Sequence, residues 1–534
     1  MLELSIYTLK GDGRIVKKIL GIAATAAIVL GMSNTTYAKT TYNVTRLAGS
    51  NRYETSEKIA DNFENGTVQS VIVASGKDFP DALGGSVLSK IYNAPILLLN
   101  DDFKNSSNAV DYIQNHLSKS GNIYILGGTS SVSDDFVSYI KGLGYGNVTR
   151  FGGNNRFETN KSIINSMNVQ KGTPMVITNG WGFADALSVS SAAACYKYPI
   201  FMIDNGKLSE SNKDVISSIQ PSKILIIGGQ GSVSDSVVNE IKSMDSSLTD
   251  SNITRLGGQT RYDTSLSICK YFNSNSNFAV LANGANFPDA LAGSALASKL
   301  SAPIMLTNGK DISEQKSYID EKGYKDIFLL GGLSSVDLSV EYLLKPTSSI
   351  PKSEIDYITA LKGYCESYKD KTGTVSTQME DVYNKTTDIR TAITSASTAQ
   401  ELSSDIEQLI TLFNQGNSYL SSYKNDLTAL KDEVSNLSVP NGLASLNKQY
   451  LDNINTQLNY VNITMNYTTS CLNVFTEMKD ALDNMDIDKL EKSTNALQVM
   501  GNSGGYISNI ENGNKGIDDL DTMLGNALNS YQHQ

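Results

Sequence analysis

The sequence has few of the side chains that bind metals or act as nucleophiles. Of 534 residues only two are histidines, His116 and His533. The four cysteines lie far apart without a CxxC pair, at Cys195, Cys269, Cys365 and Cys471. A zinc hydrolase needs clustered histidine and carboxylate ligands, and a cysteine protease needs a histidine near its thiol. This scarcity argues against both enzyme classes and against a disulfide framework, and we expect no metal or cofactor.

Positive charge is also in short supply. The chain carries 44 Lys and Arg against 55 Asp and Glu, for a net charge of −11. This balance argues against nucleic acid as a partner, because its phosphates would repel the chain. The excess of acid is concentrated in one part: residues 39–346 hold 27 basic and 29 acidic side chains, whereas residues 347–534 hold 13 and 24. An anionic ligand would need local basic sites.

No apolar run is long enough for a membrane span, which needs about 20 residues. The apolar stretch Ile19–Met32 follows Arg14, Lys17 and Lys18 and precedes a short polar segment that ends at Ala38. This order is typical of a secretory signal peptide. We expect residues 1–38 to be cleaved, which leaves a mature protein that is exported and has no membrane span. The residues before Val16 fit such a signal peptide poorly, and we expect translation to start at Val16.

The sequence does contain three copies of one repeat, which decides the architecture. VTRLAGSNRYET recurs as VTRFGGNNRFET and ITRLGGQTRYDT, at Val44–Thr55, Val148–Thr159 and Ile253–Thr264. A second motif, SGKDFPDALGG in the first copy, places an aspartate at the same point each time: Asp81, Asp185 and Asp289, the motif aspartates. Three tandem domains of similar length are therefore expected.

Within each copy, short continuous apolar runs alternate with stretches of helical spacing. Runs such as VIVAS and PILLL suit strands that are buried on both faces, so the alternation predicts a parallel α/β sheet. Ser133, Ser234 and Asp337 stand where helix N-caps are expected. Each copy also has a glycine pair after an apolar run, at Gly127-Gly128, Gly228-Gly229 and Gly331-Gly332. We interpret the pairs as strand-to-helix turns, since GxGxxG and GxxxxGK[ST] are both absent.

These motifs resemble the clostridial cell-wall-binding repeat type 2 family of Gram-positive surface proteins. The resemblance covers about residues 44–346, with small departures at Ala184, which replaces a proline, and at Val336-Asp337. It implies a Rossmann-like or Toprim-like fold for each copy, a pseudo-threefold arrangement, and a location at the cell wall or cell surface. It also implies non-covalent binding to an anionic wall polymer, a teichoic-acid-like secondary polysaccharide.

The remainder of the chain has a different character. Two prolines mark a boundary, after which strand signals disappear and apolar residues follow helical spacing, as in Ile355, Ile358, Leu361, Cys365 and Tyr368. An all-α helical bundle or an extended coiled coil remains open here. The expected domains are repeats at 39–146, 147–250 and 251–346, a linker at 347–351 and a helical domain at 352–534. The expected partners of the helical domain are surface proteins or host ligands.

The acidic residues of the helical part bear on whether the chain is an enzyme or a binding protein. Two carboxylates of a glycosidase have no fixed spacing, so the many acids of the helical part leave a muramidase-like wall hydrolase, or a modifier of one, as the alternative. Those acids are distributed along polar helix faces, where solvated charge is the ordinary explanation. We therefore expect a wall-anchored binding or structural protein and no enzyme.

The arginines that return in all three copies are the candidate ligand contacts. Arg46, Arg150 and Arg255 precede a glycine turn (the turn arginines), and Arg52, Arg156 and Arg261 follow it near an expected helix start (the helix arginines). A guanidinium group there can fork onto a phosphate or carboxylate, with helix N-terminal amides adding partial positive charge. The other interpretation is an internal ion pair with the motif aspartates.

Overall fold

A computed structural model describes residues 42–105, 107–204, 207–396, 398–501 and 507–532. The expected signal peptide, its cleavage point and His533 lie outside the described residues. Within the described ranges, no helix combines the length and apolar character that a bilayer crossing requires.

The described residues contain three copies of an α/β unit followed by long helices. The strands are β1 Asn43–Leu47, β2 Val68–Ser75, β3 Ile96–Leu99, β4 Leu117–Leu126, β5 Asn147–Phe151, β6 Met175–Asn179, β7 Ile200–Ile203, β8 Ile224–Ile227, β9 Ile253–Leu256, β10 Phe278–Asn283, β11 Ile304–Thr307 and β12 Asp326–Leu330. The helices of the repeats are α1 Arg52–Phe63, α2 Gly85–Tyr92, α3 Ser107–His116, α4 Asp134–Gly142, α5 Arg156–Ser166, α6 Ala184–Tyr196, α7 Glu210–Ile219, α8 Asp235–Met244, α9 Arg261–Phe272, α10 Pro288–Lys299, α11 Ser313–Lys322 and α12 Leu338–Leu344. The helices that follow are α13 Lys352–Ser395, α14 Ala399–Ser435, α15 Ala444–Asp483, α16 Ile487–Gly501 and α17 Ile507–Gln532.

The strands form three parallel four-stranded sheets, which confirms the predicted α/β class. Their orders are β3-β2-β4-β5, β7-β6-β8-β9 and β11-β10-β12-β1. The strand that begins each sequence repeat therefore lies in the sheet of the preceding copy, and β1 completes the third sheet by pairing with β12. The sheets are offset by one strand from the sequence repeats, and the first and third copies are joined in a closed ring.

The short apolar runs are strands because they are covered on both faces. All four residues of Ile96–Leu99 and of Ile224–Ile227 are buried. Such strands need no polar alternation, and their β-branched and leucine side chains fill the space between sheet and helices. The predicted caps Ser133, Ser234 and Asp337 are confirmed as the N-cap residues of α4, α8 and α12.

Three central helices hold the copies together. Each of α2, α6 and α10 contacts the other two. Their sequences are rich in Ala, Ser and Gly, and every residue of α10 from Ala290 to Ser298 is buried. Small side chains allow the helices to approach closely, and a helix that is buried all around belongs at the centre of a structure. This packing gives the pseudo-threefold arrangement.

The helices after residue 351 form a bundle. Helix α14 packs against α13 and α15, and α17 packs against α13 and α15. The apolar residues predicted to line it, including Ile358, Leu361, Cys365 and Tyr368, lie together in a buried cluster with Leu420, Tyr450 and Leu524. Of the two predicted alternatives, the described residues adopt the packed bundle.

Helix α12 connects the bundle to the third repeat. Leu338 and Tyr342 belong to the buried cluster of the bundle, whereas Val340 and Leu344 belong to the core of the third repeat. Residues four apart share one face of a helix, so α12 presents one apolar face to each side. The bundle is thus packed on the third repeat rather than joined to it only by a linker.

Candidate functional site

The sheet topology creates a crevice in each copy. In the first sheet β2 and β4 are neighbours, but the chain leaves β2 toward β3 on one side and β4 toward β5 on the other. In open parallel sheets, ligands bind outside the carboxyl ends of two such strands, where the loops diverge. The loops in question begin at Gly76 after β2 and at Gly127 after β4. The second sheet repeats this arrangement, and in the third sheet β1 takes the place beside β12 although it comes from the other end of the repeats.

The motif aspartates bridge the two loops of each crevice. Each follows the first loop and accepts a hydrogen bond from a serine hydroxyl of the second loop. The pairs are Asp81 with Ser131, Asp185 with Ser232 at 2.6 Å, and Asp289 with Ser335 at 2.9 Å. Burial raises the pKa of Asp289, while the Ser335 hydrogen bond and the charge of Arg52 act in the opposite direction. The aspartates therefore fix the shape of the crevice.

In the second and third copies only the first glycine of the pair is required by this arrangement, whereas in the first copy a Cβ atom on Gly128 would also lie 3.3 Å from the carbonyl oxygen of Gly153. Gly127, Gly228 and Gly331 have φ of +113°, +100° and +99°. A Cβ atom on them would lie 2.6, 2.3 and 2.2 Å from the nearest carboxylate oxygen of the motif aspartate. At Gly229 and Gly332 no atom lies within 4 Å of such a Cβ. The first glycine combines a left-handed backbone with close packing, and both exclude a side chain.

The N–H groups of the turn arginines donate to carbonyl oxygens and carboxylates of the protein itself. Arg150 donates to the carbonyl oxygens of Gly127 and Gly128, both at 3.1 Å, and pairs with Asp134 at 3.0 Å. Arg255 likewise donates to Gly228 and pairs with Asp235 at 2.8 Å. Arg46 pairs instead with Glu341, at 2.7 Å. These side chains hold the glycine turn in place.

The helix arginines have different surroundings. Arg52, Arg156 and Arg261 are the first residues of α1, α5 and α9. Each donates one hydrogen bond to a carbonyl oxygen of the first crevice loop, on Gly76 at 2.6 Å, Gly180 at 3.0 Å and Gly284 at 2.6 Å. Among the described residues, no carboxylate lies within 4.0 Å of these guanidinium groups, although the charge of Arg52 still acts to lower the pKa of Asp289. Arg52 and Arg261 are exposed, and Arg156 is half-buried.

The backbone amides at the starts of α1, α5 and α9 are less available to a ligand than the sequence predicts. Asn51 accepts hydrogen bonds from the amides of Tyr53 and Glu54, and Asn155 does the same in the second copy. In the third copy Thr260 accepts from Asp263. These capped amides are already satisfied. The guanidinium groups are therefore the main basic donors at this edge.

Sequence reasoning missed the aromatic centre of the site. Phe79, Phe183 and Phe287 (the phenylalanine triad) meet with ring centroids 5.4, 5.7 and 6.1 Å apart. Each helix arginine lies over a triad ring from another copy, in the pairs Arg52 with Phe287 at 5.6 Å, Arg156 with Phe79 at 5.7 Å and Arg261 with Phe183 at 5.5 Å. The signal was present, because these phenylalanines recur two residues before the motif aspartates. The three crevices thus converge on one arginine-rich centre.

His116 lies away from this centre. Its ring stacks on Tyr112 with centroids 4.5 Å apart, and its Nδ1 atom is 3.1 Å from the carbonyl oxygen of Gly66. In the part of the chain that the structure describes, no group of three or more His, Cys, Asp or Glu side chains is placed to hold a metal ion.

Comparison with known families identifies the repeats. Residues 46–137, 150–238 and 255–341, about half of the chain, match the family described as cell wall binding domain 2 (CWB2). The chain belongs to the CWB2 family. It carries three tandem CWB2 repeats, and each of them contains one of the crevices.

Two curated relatives match somewhat more than half of the chain. The chain is 30% identical to N-acetylmuramoyl-L-alanine amidase LytC of Bacillus subtilis (strain 168) over 304 residues. This alignment covers 57% of this chain and 58% of the relative. The chain is 31% identical over 299 residues to the amidase enhancer of the same organism, covering 55% and 39%. Among solved structures, Cwp8 from Clostridium difficile matches with a TM-score of 0.49 and 26% identity, over 60% of this chain and 53% of that one. The chain spans less than two thirds of the length of each of these proteins.

Proposed function

We propose that the CWB2 region, residues 39–346, anchors an exported protein non-covalently to an anionic wall polymer of the teichoic-acid-like secondary polysaccharide class. The helix arginines make the ligand contacts in this proposal. The observation that carries it is their placement: three guanidinium groups converge on the phenylalanine triad without a carboxylate within 4.0 Å in the described residues. The helical domain, residues 352–534, is then held at the wall and displayed.

Arginine suits this task because its planar group can form two parallel hydrogen bonds with a phosphate or carboxylate. Each helix arginine uses Nη1 for an internal carbonyl, and its other N–H groups remain for a ligand. The turn arginines contribute to the same proposal only indirectly, since their contacts with carbonyls and carboxylates fix the neighbouring turn.

The polymer carries charge in each of its repeating units. Three connected sites that bind it at the same time therefore have a higher overall affinity than one site. Once one copy holds a chain segment, the next segment reaches the second copy at a high effective concentration. Three weak sites can therefore give firm anchoring, and such binding should weaken as salt screens the charges.

The test replaces Arg52, Arg156 and Arg261 together by glutamine and measures sedimentation with purified Gram-positive cell walls. We expect binding to fall far more than for any single replacement. Arg390, an exposed arginine of the helical domain, gives the matched control Arg390→Gln, which should bind as the parent does. A folded triple variant with parental binding would eliminate these arginines as ligand contacts. Walls stripped of their secondary polymer by hydrofluoric acid should no longer bind; equal binding would make peptidoglycan the receptor.

Export is part of the proposal. If signal peptidase cleaves after Ala38, amino-terminal sequencing of surface-extracted protein should begin at Lys39. Retention of the apolar stretch Ile19–Met32 would contradict it.

We further propose that the chain acts by binding and not by catalysis. The alternatives are a wall hydrolase and a modifier of one, since the chain is 30% identical to an amidase and 31% identical to an amidase enhancer. Zymography on wall-embedded gels distinguishes them: the purified chain alone should leave no cleared band. A band cleared by the chain alone would make it a hydrolase, and clearing that increases only when an amidase is added would make it a modifier.

A further inference from the structure

One exposed aromatic residue makes the second copy different from the other two. Trp181 is the only tryptophan of the chain, and 51% of it is exposed. It lies in the first crevice loop, directly after Gly180. The equivalent positions in the first and third copies hold Lys77 and Ala285. The feature is therefore not part of the repeated framework.

The indole ring is held in place despite its exposure. Its N–H group donates to Asp204 at 2.6 Å, and its backbone amide donates to the side chain of Asn179 at 2.9 Å. The guanidinium group of Arg156 lies over the ring, 4.2 Å from the centroid, and Phe157 meets it edge-on at 6.2 Å. A large apolar ring that is fixed and yet half exposed loses little conformational entropy when a ligand covers it.

We propose that the open face of Trp181 stacks on a sugar ring of the wall polymer. This inference rests on the proposed function and adds a carbohydrate contact to the second of its three sites. The negative face of an aromatic ring attracts the weakly positive C–H groups along one face of a sugar ring. Arg156 covers one face of the indole, and in this proposal the sugar stacks on the other face.

The three copies then make different contacts with the polymer. Arg52 and Arg261 are exposed and face anionic groups directly, whereas Arg156 is partly covered by the indole. A polymer that alternates sugar and anionic groups would be held in one register, with a sugar against Trp181 and anionic groups at the helix arginines.

Because the chain has a single tryptophan, its fluorescence reports on Trp181 alone when it is excited at the long-wavelength edge, where the 27 tyrosines do not absorb. The full-length mature chain is titrated with the oligosaccharide that hydrofluoric acid releases from purified walls, and with intact walls. We expect the emission to shift and acrylamide quenching to fall as either probe binds. Trp181→Ala should bind intact walls about three- to tenfold more weakly, whereas Trp181→Phe should retain part of the affinity. Tyr383→Ala, which removes an exposed aromatic residue of the helical domain, is the matched control.

The outcomes separate the two proposals. If the parent binds walls while quenching of Trp181 is unchanged and folded Trp181→Ala binds as the parent does, the stacking contact is refuted and the anchoring function stands. If the parent itself does not bind polymer-bearing walls, both are refuted. Circular dichroism of each variant verifies that the fold is retained.

Discussion

Arg46 on the first strand and Glu341 on the last helix of the repeats form an ion pair of 2.7 Å across 295 positions of sequence. Arg46 also donates to the carbonyl oxygens of Gly331 and Val336, and Glu341 also pairs with Lys345. The side chains of Arg46 and Glu341 are only 13% and 11% exposed. This contact lies where β1 completes the third sheet, so it closes the ring of three copies.

Breaking the closure should destabilise the fold much more than breaking its counterpart in the first copy. Glu341→Gln leaves the buried Arg46 without its charge partner, and we expect the free energy of unfolding to fall by about 3 kcal/mol. Asp134→Asn is the control, because the Asp134 side chain in the pair with Arg150 is 73% exposed, and it should lose less than about 1 kcal/mol. Denaturant unfolding followed by circular dichroism measures both, and equal losses would show that the closing pair is not special.

The same pair should make stability depend on pH. Burial alone would raise the pKa of Glu341, but the charges of Arg46 and Lys345 bring it below its ordinary value of 4.5. The folded protein therefore binds this proton more weakly than the unfolded chain does. The stabilisation is fully present above pH 4.5 and is lost as the pH falls through the folded-state pKa. Unfolding curves of parent and Glu341→Gln should converge on acidification; a constant difference would contradict this.

The two glycines of a pair should respond differently to alanine. Gly228→Ala places a methyl group in a left-handed backbone and against Asp185, so we expect a loss of about 1–3 kcal/mol. Gly229→Ala meets no atom within 4 Å and should be close to neutral. Thermal melting of the two variants is the measurement. A similar loss for both would mean that the motif preserves the second glycine for another structural reason.

The two faces of α12 should be separable by mutation. Leu338→Ala removes contacts with the helical bundle, and we expect faster protease cleavage between residues 345 and 351 with wall binding retained. Leu344→Ala opens a cavity in the third repeat, where such changes cost about 2–5 kcal/mol, and should impair wall binding as well. Limited proteolysis with mass spectrometry and wall sedimentation distinguish the variants. Identical behaviour would mean that bundle and repeat unfold as one unit.

Local features were predictable because their causes lie within a few residues. The apolar runs that form β3 and β8 follow from the hydrophobic pattern, and the cap at Ser133 follows from a side-chain acceptor placed before a helix. The helical amides were harder to judge. Asn51 was not singled out as a cap, so the amides that it satisfies were expected to be free for a ligand.

The sequence by itself determined the repeat, the α/β class of each copy and the helical character of the remainder, because periodicity and recurring motifs are local properties. Only the tertiary structure decided which copy meets which. The copies carry nearly identical motifs, and nothing in them states that Arg52 lies over Phe287, that β1 joins the third sheet, or that Trp181 is fixed by Arg156. Those relationships arise from packing α2, α6 and α10 around one axis, and they place residues hundreds of positions apart in the same site.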